Sequence, residues 1–311
     1  MIFKRKTVGL ALGGGGARGI AHIGVLKVLE QEKIDIDIIS GTSMGAIIAA
    51  LYSAEPNAKK LEKIVREENL PKLIDYTISS KEIVKGKKVE AFLNRELKGI
   101  QFEELKIPLH ITAFDLENSQ EVIFSKGDVT KAVRASMAIP GIFSPVENEG
   151  KILVDGGVRD PIPTEILEQK KADVIIASNV NYIKKKQPLT DQTAVKENKK
   201  IKIPNILKVS AKALQIIGSE ISNADVEDDA IDLLINIELP NISLLNFKDP
   251  EKLIEIGEKT ARKQIKEIRK LTKNPISRFF SEFRKKLYLK EIEKGFGIDK
   301  KTHVPNFLKN N

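Results

Sequence analysis

A serine between two glycines forms the first motif that could carry chemistry. Gly41, Ser43 and Gly45 belong to a G-x-S-x-G pattern that follows an apolar, strand-like segment and precedes a helix of small residues. This context is typical of a nucleophile elbow, a turn so tight that only glycine fits at its two ends. Two interpretations remain open: a serine whose hydroxyl attacks a carbonyl carbon, or a glycine-bounded turn in which the serine is incidental.

A run of four glycines, residues 13–16, is followed by Arg18 and Gly19 and also lies between a predicted strand and a predicted helix. Residues 14–19 satisfy G-x-G-x-x-G, a weak indication of dinucleotide binding. The next predicted strand ends in Ser40, where a dinucleotide fold needs an acidic residue, and no Gly-Lys-Ser/Thr follows to form a P-loop. The glycines are therefore interpreted as backbone N–H donors to an oxyanion.

A serine nucleophile needs a base, and the sequence offers few. His22 falls in a predicted helix and His110 in an apolar predicted strand, so we interpret both as structural. Asp155 ends a short apolar segment and precedes Gly156 and Gly157. A carboxylate at such a turn could accept the seryl proton directly, although an ordinary Asp-Gly turn is the alternative.

Taken together, the motifs resemble those of the patatin-like phospholipase family, lipid acyl hydrolases that use a Ser-Asp dyad. The three motifs, residues 14–19, 41–45 and 155–157, occur in the family's order. Residues 135–145 are similar to the helix and loop that precede the family's catalytic Asp. The resemblance covers about residues 7–180 and is strongest to small, stand-alone bacterial members.

The resemblance assigns a role to each matching residue. It implies that Ser43 is the nucleophile and that Asp155 accepts its proton. The oxyanion-hole N–H groups would come from Gly14, Gly15, Gly16 and Met44. The residues that would support the motifs are Arg18, Gly19, Gly41, Gly45, Gly156 and Gly157.

One residue departs from the family pattern. Asp160 stands where relatives often carry Asn before a proline. A second carboxylate near Asp155 could raise the pKa of Asp155, or it could cap a helix that starts at Pro161. We favour the cap.

The elements that must hold these motifs alternate between strands and helices, which indicates an α/β fold with a mostly parallel sheet. Strands are predicted at 7–12, 36–40, 109–114, 121–124, 151–154, 174–178 and 233–237. Helices are predicted at 18–32, 46–52, 57–68, 87–98, 128–138, 204–224 and 249–272. The expected architecture is a three-layer sandwich of the patatin type with a helical C-terminal extension. The helices at 57–68 and 87–98 are rich in Lys and Glu and are expected to be exposed.

The net positive charge of the chain is concentrated in its last 55 residues. Of the net charge of +9, residues 257–311 contribute 16 Lys+Arg and 6 Asp+Glu, which leaves residues 1–256 at −1. A nearly neutral main body argues against nucleic acid as a partner. We expect a catalytic core at 7–180, the rest of the α/β domain at 181–256 with a mobile polar loop near 184–202, and a basic extension from 257.

Within this extension, residues 274–295 combine an apolar helical face with basic side chains. Such a helix could lie on an anionic membrane or pack on the protein's own core, and both alternatives stay open. The sequence contains no cysteine and no apolar run of about 18 residues. We therefore expect a cytoplasmic protein, with peripheral contact at the inner face of the membrane as one alternative, and we leave its oligomeric state open.

The expected activity is hydrolysis of a phospholipid or another acyl ester through an acyl-enzyme, without a metal or cofactor. Ile139, Ile142 and Phe143 are candidates for an acyl groove, and core packing is an equally good role for each. Two other function classes remain open. One is an acyltransferase that uses the same serine, and the other is a non-catalytic regulator that retains the fold.

Overall fold

The computed structural model describes residues 5–68, 70–73, 86–182, 216, 218, 231–240 and 242–273. Three predicted features fall wholly or largely outside the described residues: the polar loop near 184–202, the helix at 204–224 and the basic segment at 274–295. Among the described residues, no helix is long and apolar enough to cross a bilayer.

The described residues form eight strands and eight α-helices. The strands are β1 (Val8–Leu12), β2 (Ile38–Thr42), β3 (Leu109–Asp115), β4 (Gln120–Phe124), β5 (Val146–Asn148), β6 (Lys151–Asp155), β7 (Val174–Asn179) and β8 (Leu233–Asn236). The helices are α1 (His22–Gln31), α2 (Met44–Ala54), α3 (Ala58–Glu67), α4 (Leu70–Leu73), α5 (Lys87–Leu97), α6 (Val129–Ser136), α7 (Glu165–Gln169) and α8 (Pro250–Lys273). Short 3-10 helices cover Gly16–Ala21, Phe102–Glu104 and Gly156–Val158.

The strands form one mixed sheet. Strands β3, β2, β1, β7 and β8 are neighbours in that order and run parallel. Strands β4, β5 and β6 join through antiparallel pairs at the β3 end. Because the carboxyl ends of parallel strands meet at one edge of a sheet, the loops after β1, β2 and β7 lie together there. The predicted mostly parallel sheet is confirmed.

Strand β3 carries three partners on its two edges, and this arrangement brings distant parts of the chain together. Thr112 of β3 pairs with both Thr42 of β2 and a residue of β4, whereas the next residue, Ala113, pairs with both Asp155 of β6 and a residue of β4. Strand β4 therefore occupies one edge, and β2 and β6 share the other. Strand β2 runs parallel and β6 antiparallel to β3. The carboxyl end of β2 and the carboxyl end of β6 therefore face each other along this edge.

Apolar side chains alternate between the two faces of the sheet, as the period of a strand requires. On β1, Leu10 and Leu12 belong to the larger core, which the helices α1, α2, α3, α5, α6 and α8 complete. Ala11 and Ala177 belong to a smaller core on the opposite face, where Leu167 of α7 packs. Helices thus cover both faces, and the three-layer sandwich is confirmed.

Three observed features differ from the sequence predictions: the start of one helix, one additional strand and the exposure of two helices. The helix predicted at 18–32 begins as the 3-10 helix Gly16–Ala21, because Gly16 adopts φ 53° and the loop bonds to a distant carbonyl. Strand β5 was not predicted, since three residues are too few to show alternation. Helices α3 and α5 are not simply exposed, because each buries an apolar face against the core.

A single helix crosses the predicted boundary at residue 257. Helix α8 packs on α1, and the two backbones approach at glycines: a Cβ on Gly257 would collide with the carbonyl oxygen of Ala21, and one on Gly24 with that of Ile254. At the end of α8, Lys6 Nζ donates to the carbonyl oxygen of Leu271 at 2.8 Å. Residues 257–273 therefore belong to the packed α/β body.

We expect the substitution G257A to destabilise the fold by about 1–3 kcal/mol, because α1 and α8 must move apart to admit a methyl group. This cost exceeds the helix-propensity gain of about 1 kcal/mol from replacing glycine. Urea unfolding measures the change, and K263A on the exposed face of α8 is the matched control, expected within about 0.5 kcal/mol of wild type. An unchanged unfolding midpoint for G257A would contradict the close packing of these helices.

Candidate active site

Ser43 occupies a strained turn between β2 and α2. Its backbone has φ 55° and ψ −121°, a conformation that L-residues rarely adopt and that costs on the order of 1–3 kcal/mol. A Cβ on Gly45 would collide with the carbonyl oxygen of Leu12, and one on Gly41 would lie 2.8 Å from the carbonyl oxygen of Gly45. The glycines of the motif are therefore required by space, as expected for a nucleophile elbow.

Asp155, the last residue of β6, meets Ser43 because β2 and β6 share one edge of β3. The Ser43 hydroxyl donates to the Asp155 carboxyl group, and the N–H of Gly157 donates to its Oδ1 at 2.8 Å. Gly156 keeps this turn close to β3, since a Cβ there would lie 2.6 Å from the carbonyl oxygen of Thr112. The residues that the sequence proposed as a dyad are thus in direct contact.

Burial raises the pKa of Asp155 to about 6, against the smaller opposing effects of the hydrogen bonds from Ser43 and Gly157. The side chain is almost fully removed from water, and its residue is 6% exposed. A carboxylate with this pKa is a stronger base than an ordinary aspartate and is still ionised at neutral pH. It can therefore accept a proton from a hydroxyl group.

The glycine loop after β1 presents only some of its N–H groups to the cleft. The N–H of Gly14 donates to the carbonyl oxygen of Pro161 at 2.9 Å, so it is already engaged. Among the described residues, the N–H groups of Gly15 and Gly16 have no acceptor. The N–H of Met44 lies in the first turn of α2, where N–H groups lack an intrahelical partner. Gly14 thus shapes the loop, and Gly15, Gly16 and Met44 remain the candidate oxyanion donors.

Arg18 and Gly19 hold this loop in place. Arg18 is 3% exposed, and its Nε donates to the carbonyl oxygen of Ile242 at 2.7 Å. Burial lowers the pKa of its guanidinium group to about 10, which leaves it charged at neutral pH. A Cβ on Gly19 would lie 2.5 Å from Cγ of Met44. Both residues therefore tie the loop to its neighbours.

The histidines are structural. His22 Nε2 donates to the carbonyl oxygen of Gly13 at 2.8 Å, and its Nδ1 accepts from the Ser178 hydroxyl at 2.9 Å. Burial lowers the pKa of His22 to about 4, so the ring is neutral. His110 Nδ1 contacts the carbonyl oxygen of Leu109 at 2.7 Å, while its Nε2 has no hydrogen-bond partner among the described residues. Packing of both rings is confirmed, but the hydrogen bonding of His110 is incomplete.

Asp160 forms a turn and does not start a helix. Its Oδ1 accepts from the N–H of Ile162 at 3.2 Å, and α7 begins only at Glu165. Its carboxyl group hydrogen-bonds that of Glu121, whose pKa is raised by burial. The raised pKa of Asp155 has burial as its main cause and owes nothing to Asp160. The predicted helix from Pro161 is therefore wrong, and with it the predicted helix cap, because Asp160 accepts a hydrogen bond within a turn instead.

Two polar residues at the site were not predicted. The hydroxyl oxygen of Ser136, at the end of α6, accepts from the N–H of Ser43 at 2.8 Å and so supports the elbow. Ser136 lies in the segment 135–145 that carries the family resemblance, and this was its only signal. Asn181 follows β7 and lines the cleft beside Ser43 and Asp155. No motif in the sequence marks it.

An apolar channel opens at Ser43 and runs beside α2. Met44, Ile47, Ile48 and Leu51 line it at helical spacing, so it extends about 10 Å along the helix axis. The other residues that line it are Gly16, Ile20, Val65, Leu70, Leu73, Val89, Phe92, Met137, Ile139, Phe143, Leu244, Leu245 and Phe247. Of the candidates for an acyl groove, Ile139 and Phe143 are in its wall, whereas Ile142 is buried in the core. The channel can receive an unbranched hydrocarbon chain.

The described residues contain no group of three or more His, Cys, Asp or Glu side chains that could hold a metal ion. The polar chemistry described at this site consists of Ser43, Asp155, Asn181 and backbone N–H groups. These groups together suit attack on an ester carbonyl, because they supply a nucleophile, a base and donors for a developing negative charge.

The sequence of this chain is similar to one protein-family model and to several curated proteins. A family model described as Patatin-like phospholipase matches residues 10–168. An uncharacterised NTE family protein of Mycobacterium tuberculosis (strain ATCC 25618 / H37Rv) is 37% identical over 176 residues, 56% of this chain and 49% of that protein. Lysophospholipase nte1 of Aspergillus fumigatus is 34% identical over 189 residues, 59% of this chain and 12% of that protein. The chain thus spans half or less of the length of these curated relatives.

Among solved structures, that of VipD from Legionella pneumophila superposes with a TM-score of 0.48 at 14% identity, covering 85% of this chain and 67% of that chain. The type III effector protein ExoU gives a TM-score of 0.46 at 14% identity, covering 85% of this chain and 53% of that chain.

Proposed function

Because the chain belongs to the patatin-like phospholipase family, we propose that it is a lipid acyl hydrolase in which Ser43 and Asp155 form the catalytic dyad. One observation carries the proposal: a strained serine, hydrogen-bonded to a buried carboxylate, lies at the mouth of an apolar channel. Strain and a shifted pKa cluster at functional sites, because both persist only where the surrounding structure imposes them.

In the first half of the reaction, the Ser43 Oγ attacks the carbonyl carbon of the ester and its proton moves to the Asp155 carboxylate. The N–H groups of Gly15, Gly16 and Met44 stabilise the oxyanion that forms. The ester C–O bond then breaks, and the proton on Asp155 passes to the departing alcohol oxygen. The acyl group remains on Ser43.

In the second half, water attacks the acyl-enzyme and Asp155 accepts a proton from it. The bond between the acyl carbon and the Ser43 Oγ breaks, the proton returns to Oγ, and a fatty acid is released. A base with a pKa near 6 suits both halves, since it takes a proton near neutral pH and gives it back readily.

The apolar channel supports a lipid as the acyl donor. Its walls supply contact with hydrocarbon along α2 from Met44 to Leu51, while the polar groups gather at the Ser43 end. An ester of a fatty acid can therefore place its carbonyl group at Ser43 and its chain in the channel. The head group would remain in the cleft formed by the glycine loop and the turn at Asp155.

We expect L51F to shorten the acyl chain that the protein accepts, because Leu51 lines the channel at the end of α2 far from Ser43. The kcat/KM for long-chain p-nitrophenyl esters should fall about tenfold, as a methylene or two of lost apolar contact implies, while that for butyrate esters stays near wild type. L51M conserves volume and is the matched control. A uniform fall across chain lengths would argue against the channel as the acyl site.

The proposed function is tested by labelling with a fluorophosphonate probe, followed by mapping of the modified peptide. Modification of Ser43 supports the nucleophile, and no labelling of the wild type would count against an enzyme. Product analysis with a lysolipid acceptor present then separates hydrolysis from acyl transfer. Free fatty acid as the main product supports a hydrolase, whereas an acylated acceptor supports the acyltransferase alternative.

A further inference from the structure

Asn181 is held rigidly at the polar end of the cleft. It lies just beyond β7, is 7% exposed and lines the cleft that also contains Ser43 and Asp155. Its Nδ2 donates to the carbonyl oxygen of Gly14 at 2.8 Å. Its backbone N–H donates to Oδ1 of Asn179, also at 2.8 Å. The bond to Gly14 fixes which end of the side-chain amide faces the glycine loop, and the bond to Asn179 anchors the backbone of Asn181.

The Oδ1 atom of Asn181 is buried and has no hydrogen-bond partner among the described residues. Buried polar atoms nearly always have a partner, because an unpaired one costs about 1–3 kcal/mol. An amide oxygen is only an acceptor, so a molecule that satisfies it must bring an O–H or N–H donor. The cleft therefore contains a preformed acceptor that neither the dyad nor the oxyanion donors use.

We propose that Asn181 is a specificity-determining residue that accepts a hydrogen bond from a substrate hydroxyl next to the scissile ester. This inference rests on the proposed function. Its Oδ1 lies 3.3 Å from the position that a Cβ on Gly15 would take. The N–H of Gly15 is a candidate oxyanion donor, so a group bound to Asn181 lies beside the ester. A glycerolipid with a single acyl chain carries such a hydroxyl, whereas a diacyl lipid has a second ester there and offers no donor.

The test compares two substrates, 1-acyl-glycerophosphocholine and its 2-deoxy analogue, which lacks only the glycerol hydroxyl. The phosphocholine group has no O–H or N–H at neutral pH, so this hydroxyl is the only donor. For the wild type we expect kcat/KM to be about tenfold higher with the hydroxyl than without it, the value of one ordinary hydrogen bond. For N181L we expect the two substrates to become equal.

N181D is the matched variant. Both N181L and N181D lose the donor to the carbonyl oxygen of Gly14, but only N181L loses the acceptor. The ratio between the two substrates also cancels any effect of the added charge on Ser43 itself. A hydroxyl preference that is kept in N181D and lost in N181L supports the proposal, and loss of the preference in both variants would overturn it.

Fluorophosphonate labelling separates failure of this proposal from failure of the proposed function. A wild-type protein that labels at Ser43 and hydrolyses both substrates equally would overturn the role of Asn181 alone. So would N181L if it lost activity on both substrates to the same degree, because Asn181 would then only support the glycine loop. A wild type that neither labels nor hydrolyses would overturn the hydrolase and this proposal with it.

Discussion

Replacing Ser43 with alanine is expected to abolish ester hydrolysis, with a fall in kcat of about 10⁴-fold or more. The hydroxyl proposed to form the acyl-enzyme is then missing, and no other described side chain in the cleft can replace it, since Asp155 and Asn181 are the other polar ones. Fluorophosphonate labelling should disappear together with turnover. Substantial residual hydrolysis by S43A would mean that another group carries the reaction.

S43G is the matched control, because it removes the hydroxyl and also relieves the backbone. Alanine must still adopt φ near 55° at this position, whereas glycine does so without strain. We expect S43G to be equally inactive but about 1 kcal/mol more stable than S43A in urea unfolding. Equal inactivity with unequal stability would show that the elbow stores strain in the native protein.

Replacing Asp155 with asparagine is the second large effect, with an expected fall in kcat of about 10²–10⁴-fold. Asparagine can still accept the hydrogen bonds from Ser43 and Gly157, so the turn keeps its shape, but it cannot take the seryl proton. Circular dichroism should be unchanged while turnover is lost. Activity of D155N near the wild-type level would refute the dyad.

The pH dependence of activity follows from the same residue. Asp155 acts as a base only when ionised, and its pKa is raised to about 6 by burial. We therefore expect kcat/KM of the wild type to rise with pH, to reach half its maximum near pH 6 and to level off above it. The residual activity of D155N should lack this step. A wild-type midpoint near the ordinary value of 3.8 would mean that burial does not govern the base.

Stability should change with pH in the opposite direction. The pKa of Asp155 is about 6 in the folded protein and near 3.8 when unfolded, so the folded state binds more protons between these values. Asp155 therefore contributes most to the free energy of unfolding below about pH 4. This contribution falls by about 3 kcal/mol as the pH rises through 6. D155N cannot ionise, and its stability relative to wild type should increase over this range.

The glycine turns of the candidate site could be predicted from the sequence because glycine is required where no side chain fits. At Gly41, Gly45 and Gly156 the neighbouring backbone leaves no room for a side chain. The glycine is visible in the sequence at each position, even though the backbone that excludes a side chain at Gly45 and Gly156 comes from the distant residues Leu12 and Thr112. The strand that ends at Asp155 could be predicted for a similar reason, since its apolar run stops at an Asp-Gly turn.

What could not be predicted depends on contacts between distant segments. The N–H of Gly14 bonds to Pro161 and the N–H of Ser43 bonds to Ser136, and neither pair has a pattern along the chain. The apolar faces of α3 and α5 were hidden by their many Lys and Glu residues, yet Val65 and Phe92 line the channel. The composition of a helix gives its number of charged residues. Whether one face of the helix is buried depends on which side those residues occupy.

The shared edge of β3 has a consequence for how activity is acquired during folding. Ser43 and Asp155 lie far apart in sequence and meet only when β2 and β6 are both docked on β3. Closing so long a loop is a slow, late event compared with forming the local helices. A partly folded chain in which β6 has not docked therefore holds Ser43, the proposed nucleophile, without Asp155, its proposed base. The proposed hydrolysis therefore requires that both β2 and β6 have docked on β3.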